Sequence, residues 1–139
     1  MPFRSVDVFC GIGGFSCGAI NAGCTIEFGV ENQDQILRSW AFNTSGTAIC
    51  ATVGTDDIQW PAPADDLFVH LSPPCTALSR ARAGSASQTE MEGGMDMVRL
   101  SLDLVIEKGY KHFSLENVST QQTRSLLDEY VAQHPNRIA

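Results

Sequence analysis

The sequence predicts an α/β fold, a doubly wound and mostly parallel sheet with helices on both faces. Three observations predict it. Strand-length apolar runs alternate with segments whose apolar residues recur at helical spacing, in the order β-α-β-α-β-β-α-β-α. The first run leads straight into a glycine-rich turn and a helix-like piece, the kind of corner at which α/β proteins hold nucleotides. The chain has 139 residues, 43% apolar and 18% charged, enough for one compact domain and too few for two.

Arg4 to Phe9 alternates and ends in Val-Asp-Val-Phe, a first strand. Gly11-Ile-Gly13-Gly14 follows, where missing side chains let backbone approach a ligand closely. Phe15 to Gly23 reads as a helix closed by glycine. The turn departs from the dinucleotide fingerprint, because Ser16 stands at the third glycine of Gly-x-Gly-x-x-Gly. Thr25 to Val30 is a second strand ending at Glu31, where a carboxylate can bind ribose hydroxyls or simply face water. Gln33 to Phe42 places Ile36, Leu37, Trp40 and Ala41 at helical spacing, with Trp40 expected in the core. A short third strand is expected over Ala48 to Thr52, followed by the loop Asp56-Asp57-Ile58.

The apolar run Leu67 to Leu71 is the fourth strand. Ser79 to Ser87, with Arg80, Arg82 and Gly84, and then Gly93-Gly94, reads as a small-residue segment suited to a mobile lid. The two arginines can reach phosphates or stay solvated. Met95 to Lys108 is a long helix stopped by Gly109, His112 to Leu115 a fifth strand, and Thr123 to His134 a last helix. His70, His112 and His134 show no ligand spacing and read as structural.

Five cysteines without a Cys-x-x-Cys pair suggest neither a disulfide framework nor a metal site. A reducing, cytoplasmic setting (or one at the nucleoid) is therefore expected, and no apolar run is long enough to cross a membrane. The net charge of −7 is poor footing for gripping DNA unaided, since phosphate contacts supply most non-specific affinity.

The stretch Leu71-Ser-Pro73-Pro74-Cys75 draws the chemistry together. Two prolines stop the chain from continuing in the sheet or entering a helix at once, so Cys75 sits on a stiff turn past a strand's carboxyl end. Ligands bind at that edge of open α/β sheets, and a thiolate there can act as a nucleophile. A small buried thiol is the alternative.

With Glu116 also at a strand end, the motif set resembles the amino-terminal, catalytic part of the DNA cytosine-5 methyltransferases, from Asp7 to Val118 and in that family's order. The resemblance implies a Rossmann-like fold of the S-adenosylmethionine-dependent methyltransferases. It implies that Asp7, Phe9, Gly11, Gly13 and Gly14 cradle S-adenosyl-L-methionine, with Phe9 against the adenine. Glu31 would bind the ribose hydroxyls, and Asp57 with Ile58 the adenine. Pro74 and Cys75 match the nucleophile motif, and Glu116-Asn117-Val118 matches the family's Glu-Asn-Val. Cys75 would add to carbon 6 of a cytosine flipped from double-stranded DNA, with Glu116 as acid at ring nitrogen 3 and Asn117 fixing the proline turn. S-adenosyl-L-homocysteine would be the product, and restriction-modification the setting.

Thr76 and Leu78 depart from the glutamine and phenylalanine usual in that family. The family's arginine-rich motif, target-recognition domain and last two strands lie beyond the residues present. The expectation is thus one incomplete catalytic domain over 1–139, truncated after the fifth strand, with a complementing carboxyl-terminal subunit or segment. Two alternatives stay open on the sequence: a methyltransferase-like binding module acting through partners, and an unrelated nucleotide-binding oxidoreductase.

Overall fold

The computed structural model describes residues 2–76, 78 and 85–138. The elements in chain order are β1 (Arg4–Val8), α1 (Gly14–Asn21), β2 (Thr25–Glu31), α2 (Asp34–Asn43), β3 (Thr47–Cys50), β4 (Leu67–Leu71), α3 (Gln88–Lys108), β5 (His112–Leu115) and α4 (Gln121–Gln133). The five strands form one sheet, ordered β3-β2-β1-β4-β5, and each neighbouring pair is parallel. The chain winds outward through β2 and β3, then returns past β1 to β4 and β5. The strand order reverses between β1 and β4, the switch point at whose carboxyl ends such sheets bind ligands.

Alternation along the strands sorts residues onto two faces. Val6, Val8, Leu67, Val69 and Leu71 are nearly or fully buried in the principal core with Val105 of α3 and Tyr110. The loop between β3 and β4 closes the same core with Val53 and Ile58. On the other face, Trp40 of α2 and Leu37 pack with Cys10 and Ile26, with Ala19 of α1 alongside. A register shift between Ser5 and Val6 makes this two-sided packing possible. Ser5 pairs with Ile26 and Val6 with Phe28, so Glu27 is the extra residue of a bulge. Ile26 therefore joins the α2 side, whereas Phe28 joins the α3 side.

The fold class and element order match the sequence reading. One expectation is corrected. Gly93-Gly94 are not lid hinges but lie inside α3, which begins at Gln88 rather than Met95. Ser87 caps that helix: its hydroxyl accepts from Glu90 N–H, while the Glu90 carboxylate accepts from Ser87 N–H. Gly94 has a packing reason, since a Cβ there would stand 3.0 Å from Leu78 Cγ. The expected lid residues Arg80 and Arg82 lie outside the described residues. The third strand runs over Thr47–Cys50, two residues short of its expected end, on the sheet's outer edge.

Candidate active site at the carboxyl edge of the sheet

Four backbone hydrogen bonds continue the ladders one step past the strands and tie their loops together. Cys10 N–H donates to Val30 O at 2.9 Å, Ser72 N–H to Val8 O at 3.2 Å, Glu116 N–H to Leu71 O at 2.9 Å, and Ala51 N–H to Glu31 O at 3.2 Å. The loops after β1, β2, β4 and β5 are thus held along one edge of the sheet.

The corner after β1 is tightly shaped. Phe9 has φ 61°, a left-handed conformation that a bulky side chain adopts only when its surroundings impose it. The Ser72 hydroxyl, donating to Phe9 O at 3.1 Å, is part of that imposition. Gly11 (φ 53°) and Gly13 (φ 99°) complete the turn, and Gly13 opens α1. A Cβ on Gly11 would meet nothing within 4 Å, so the space beside it is open. Glu31 reaches into this turn from β2. One carboxylate oxygen accepts from Gly11 N–H at 3.3 Å and the other from Gln33 N–H at 3.0 Å.

Asp7 lies elsewhere than a ligand contact would. It is 1% exposed, and its Oδ2 accepts from the Ser16 hydroxyl at 2.5 Å. Burial pushes its pKa up to about 6, against the opposing pull of the hydrogen bond from Ser16. Gly14 stands in the first turn of α1. Asp57 is exposed and accepts from Gln59 Nε2 at 3.2 Å, while Ile58 is buried in the principal core beneath it.

The second half of the site is built on β4 and β5, which pair in register through Leu71 and Leu115. Pro73 is buried and Pro74 exposed, and Cys75 is half-buried at the end of this turn. Glu116, immediately past Leu115, is exposed. Asn117 joins the two: its Nδ2 donates to Pro73 O at 3.0 Å, and its Oδ1 accepts from Val118 N–H at 2.9 Å. Leu78 N–H donates to Cys75 O at 3.0 Å, closing a turn around the thiol, and the Leu78 side chain packs with Val98 and Leu102 of α3. The buried Cys10 is unlike Cys75. Burial and the Asp7 and Glu31 carboxylates push its thiol up, which disfavours the thiolate there.

Beside this edge, α1 and α4 flank a groove of about 1100 Å3 over the β1-β4-β5 face, with Phe15, Phe68, Phe113 and Leu127 among its lining. Phe15 stacks on His70 with ring centroids 3.9 Å apart, and His70 Nδ1 bonds Ser114 Oγ at 2.8 Å. His70 thus has the structural role expected of it.

Sequence reasoning missed Ser72, whose N–H and hydroxyl both bind the end of β1, and it treated Ser16 only as a departure from a glycine pattern. No local signal marks Ser72. Its partners are more than sixty residues away.

A model of the family described as C-5 cytosine-specific DNA methylase matches residues 3–129. No curated protein is significantly similar to the chain. Among solved structures, the chain is similar to an E. coli protein described as a DNA modification methyltransferase encoded within a prophage. The TM-score is 0.68 at 19% identity, over 94% of this chain and 37% of that one. It is also similar to a protein from Pyrococcus horikoshii OT3, with a TM-score of 0.56 at 13% identity, over 96% of this chain and 54% of that one. These likenesses are of fold, and the chain spans less than two thirds of either solved chain.

Proposed function

Because this chain belongs to the C-5 cytosine-specific DNA methylase family, we propose that it is the catalytic portion of an enzyme that methylates carbon 5 of cytosine in DNA. The observation that carries the reading is that β4 and β5 lie adjacent and in register, with Cys75 in the turn after the first, Glu116 just past the second, and Asn117 tying that turn to β5 through Pro73 O.

The corner after β1 fits S-adenosylmethionine. Open space beside Gly11 admits the ligand, and Glu31 keeps unused lone pairs for two ribose hydroxyls while its bonds to Gly11 and Gln33 fix its direction. Phe9 offers a ring to the adenine, and Asp57 an acceptor to its amino group. Gly13 and Gly14, without side chains, let the start of α1 approach the methionine part closely. When bound, S-adenosylmethionine supplies an electrophilic sulfonium methyl group and leaves as S-adenosylhomocysteine.

Carbon 5 of cytosine is too weak a nucleophile to take that methyl unaided. The Cys75 thiolate adds to carbon 6, and the electron pair of the ring double bond moves to carbon 5, which takes the methyl group. The Glu116 carboxyl, hydrogen-bonded at ring nitrogen 3, eases that flow. Loss of the carbon 5 proton restores the double bond and expels Cys75. Pro74 stiffens the turn that presents the thiol, and the base must leave the duplex to reach it.

A complementing carboxyl-terminal segment or subunit supplies target recognition and most of the DNA grip. The net charge of −7 supports this division, because a surface of that sign repels phosphates. Among the described residues no helix is long and apolar enough to cross a membrane, and the reaction takes place wherever cellular duplex DNA lies, in cytoplasm or nucleoid.

The test is transfer of labelled methyl groups from S-adenosylmethionine to duplex DNA by the chain together with its complement. The expected result is 5-methylcytosine with the wild-type chain and none with Cys75→Ser. Full activity in Cys75→Ser would refute the assignment.

A further inference from the structure

The buried residues behind the glycine turn form a connected set that the reaction itself does not use. The Ser16 hydroxyl has one proton, given to Asp7 Oδ2 at 2.5 Å, and it accepts from Trp40 Nε1–H at 2.9 Å. Its rotamer is therefore fixed from two sides. The three partners come from β1, α1 and α2, the elements whose junction shapes the turn from Phe9 to Gly14. Trp40 also meets the turn directly: a Cβ on Gly13 would stand 3.1 Å from its Cδ1. The neighbouring Asn43, at the end of α2, donates from Nδ2 to Ile12 O in the same turn at 3.0 Å.

Such a set is a poor way to make a core merely stable. Asp7 Oδ1 is buried with no hydrogen-bond partner, which is destabilising for a polar atom and more so for a charged one. An apolar side chain in its place would avoid that penalty. What the network provides is geometry. Ser16 and Trp40 are 0% exposed and Asp7 1% exposed, so a ligand lying in the corner does not reach them.

We propose that Asp7, Ser16 and Trp40 are positioning residues, a relay that holds the glycine turn from within and thereby sets the affinity for S-adenosylmethionine without touching it. The proposal rests on the cofactor reading above and adds to it the residues that give the corner its shape. Asp7, expected from the sequence to contact the cofactor, acts through Ser16 instead.

The test is calorimetric titration of the full chain with S-adenosylhomocysteine, alongside thermal melting. Ser16→Ala, which leaves both partners unmatched, is expected to raise Kd about tenfold. Trp40→Phe, which keeps a ring and loses the N–H, is expected to raise it by at least about threefold. Asp7→Asn still offers Ser16 an acceptor and is expected to bind within about threefold of wild type. Ser101→Ala is the structural control. That serine is also 0% exposed and donates to Met97 O at 2.8 Å within α3, away from the turn, so its loss should lower Tm and leave Kd unmoved. Wild-type affinity in both Ser16→Ala and Trp40→Phe would overturn the relay alone, as would an equal weakening in Ser101→Ala. No binding by the folded wild-type chain would instead overturn the cofactor reading and the relay with it.

Discussion

Trp40 packs directly against the backbone of Gly29: a Cβ built on Gly29 would overlap Trp40 Cε2, inside any tolerable contact. The ring is 0% exposed, so it has nowhere to retreat. Gly29→Ala is therefore expected to destabilise the fold by about 3 kcal/mol, a fall of roughly 10 °C in Tm. Gly18→Ala in α1 is the contrast. Its Cβ would meet nothing within 4 Å, and alanine is the better helix former, so a gain of about 0.5–1 kcal/mol is expected. Melting both variants beside wild type checks the pair.

Asp7 gives the stability curve a component opposite in sign to that of an ordinary paired carboxylate. Its folded pKa of about 6 lies above the 3.8 of an unperturbed aspartate, so the folded chain holds this proton more tightly than the unfolded chain. Asp7 thus opposes folding by about 3 kcal/mol above pH 6, and that opposition fades as pH falls toward 4. Asp66, whose pKa is held down by Arg4, runs the other way and loses stabilisation on acidification. The Asp7 component is isolated by difference: wild type relative to Asp7→Asn should gain stability as pH drops from about 6 to about 4. A flat difference would show that Asp7 is not held in the low-dielectric corner.

What was legible in the sequence was whatever is local. Leu67 to Leu71 and His112 to Leu115 were read at their observed bounds, because apolar runs stopped by prolines or polar residues fix strand ends directly. The early start of α3 was obscured by Gly93-Gly94, although Ser87-Gln-Thr-Glu90 is a capping box that announces it. The candidate site divides in the same way. Glu31, Cys75 and Glu116 stand at strand ends visible in the chain. The bonds that make them a site, from Asn117 to Pro73 and from Ser72 to Phe9, join residues more than forty positions apart. Ser16 is a further case, since its hydroxyl bonds Asp7 and Trp40, the latter twenty-four residues away.

Asn117→Ala removes the clamp between the proline turn and β5 while leaving every reacting group in place. Loosening the Cys75 turn by a fraction of an ångström should lower kcat by about 10- to 100-fold, with KM for S-adenosylmethionine changed by less than about threefold. Steady-state kinetics of the complemented enzyme checks the split. An equal rise in that KM would place Asn117 in the cofactor corner instead.

Glu31→Gln keeps an acceptor for one backbone N–H but loses the charge that strengthens hydrogen bonds to ribose hydroxyls. S-adenosylhomocysteine should bind about 10- to 30-fold more weakly, while adenine alone is unaffected. Calorimetry with both ligands makes the comparison.

The most direct measurement is covalent trapping. Random-sequence duplex DNA carrying 5-fluorocytosine, which has no carbon 5 proton to lose, is incubated with S-adenosylmethionine, the chain and its complement, and the adduct is digested and mapped by mass spectrometry. The expected result is one cross-linked peptide carrying Cys75, absent in Cys75→Ala and with no adduct at the buried Cys10. An adduct on another cysteine, or methylation of ordinary duplex DNA that continues unchanged in Cys75→Ala, would contradict it.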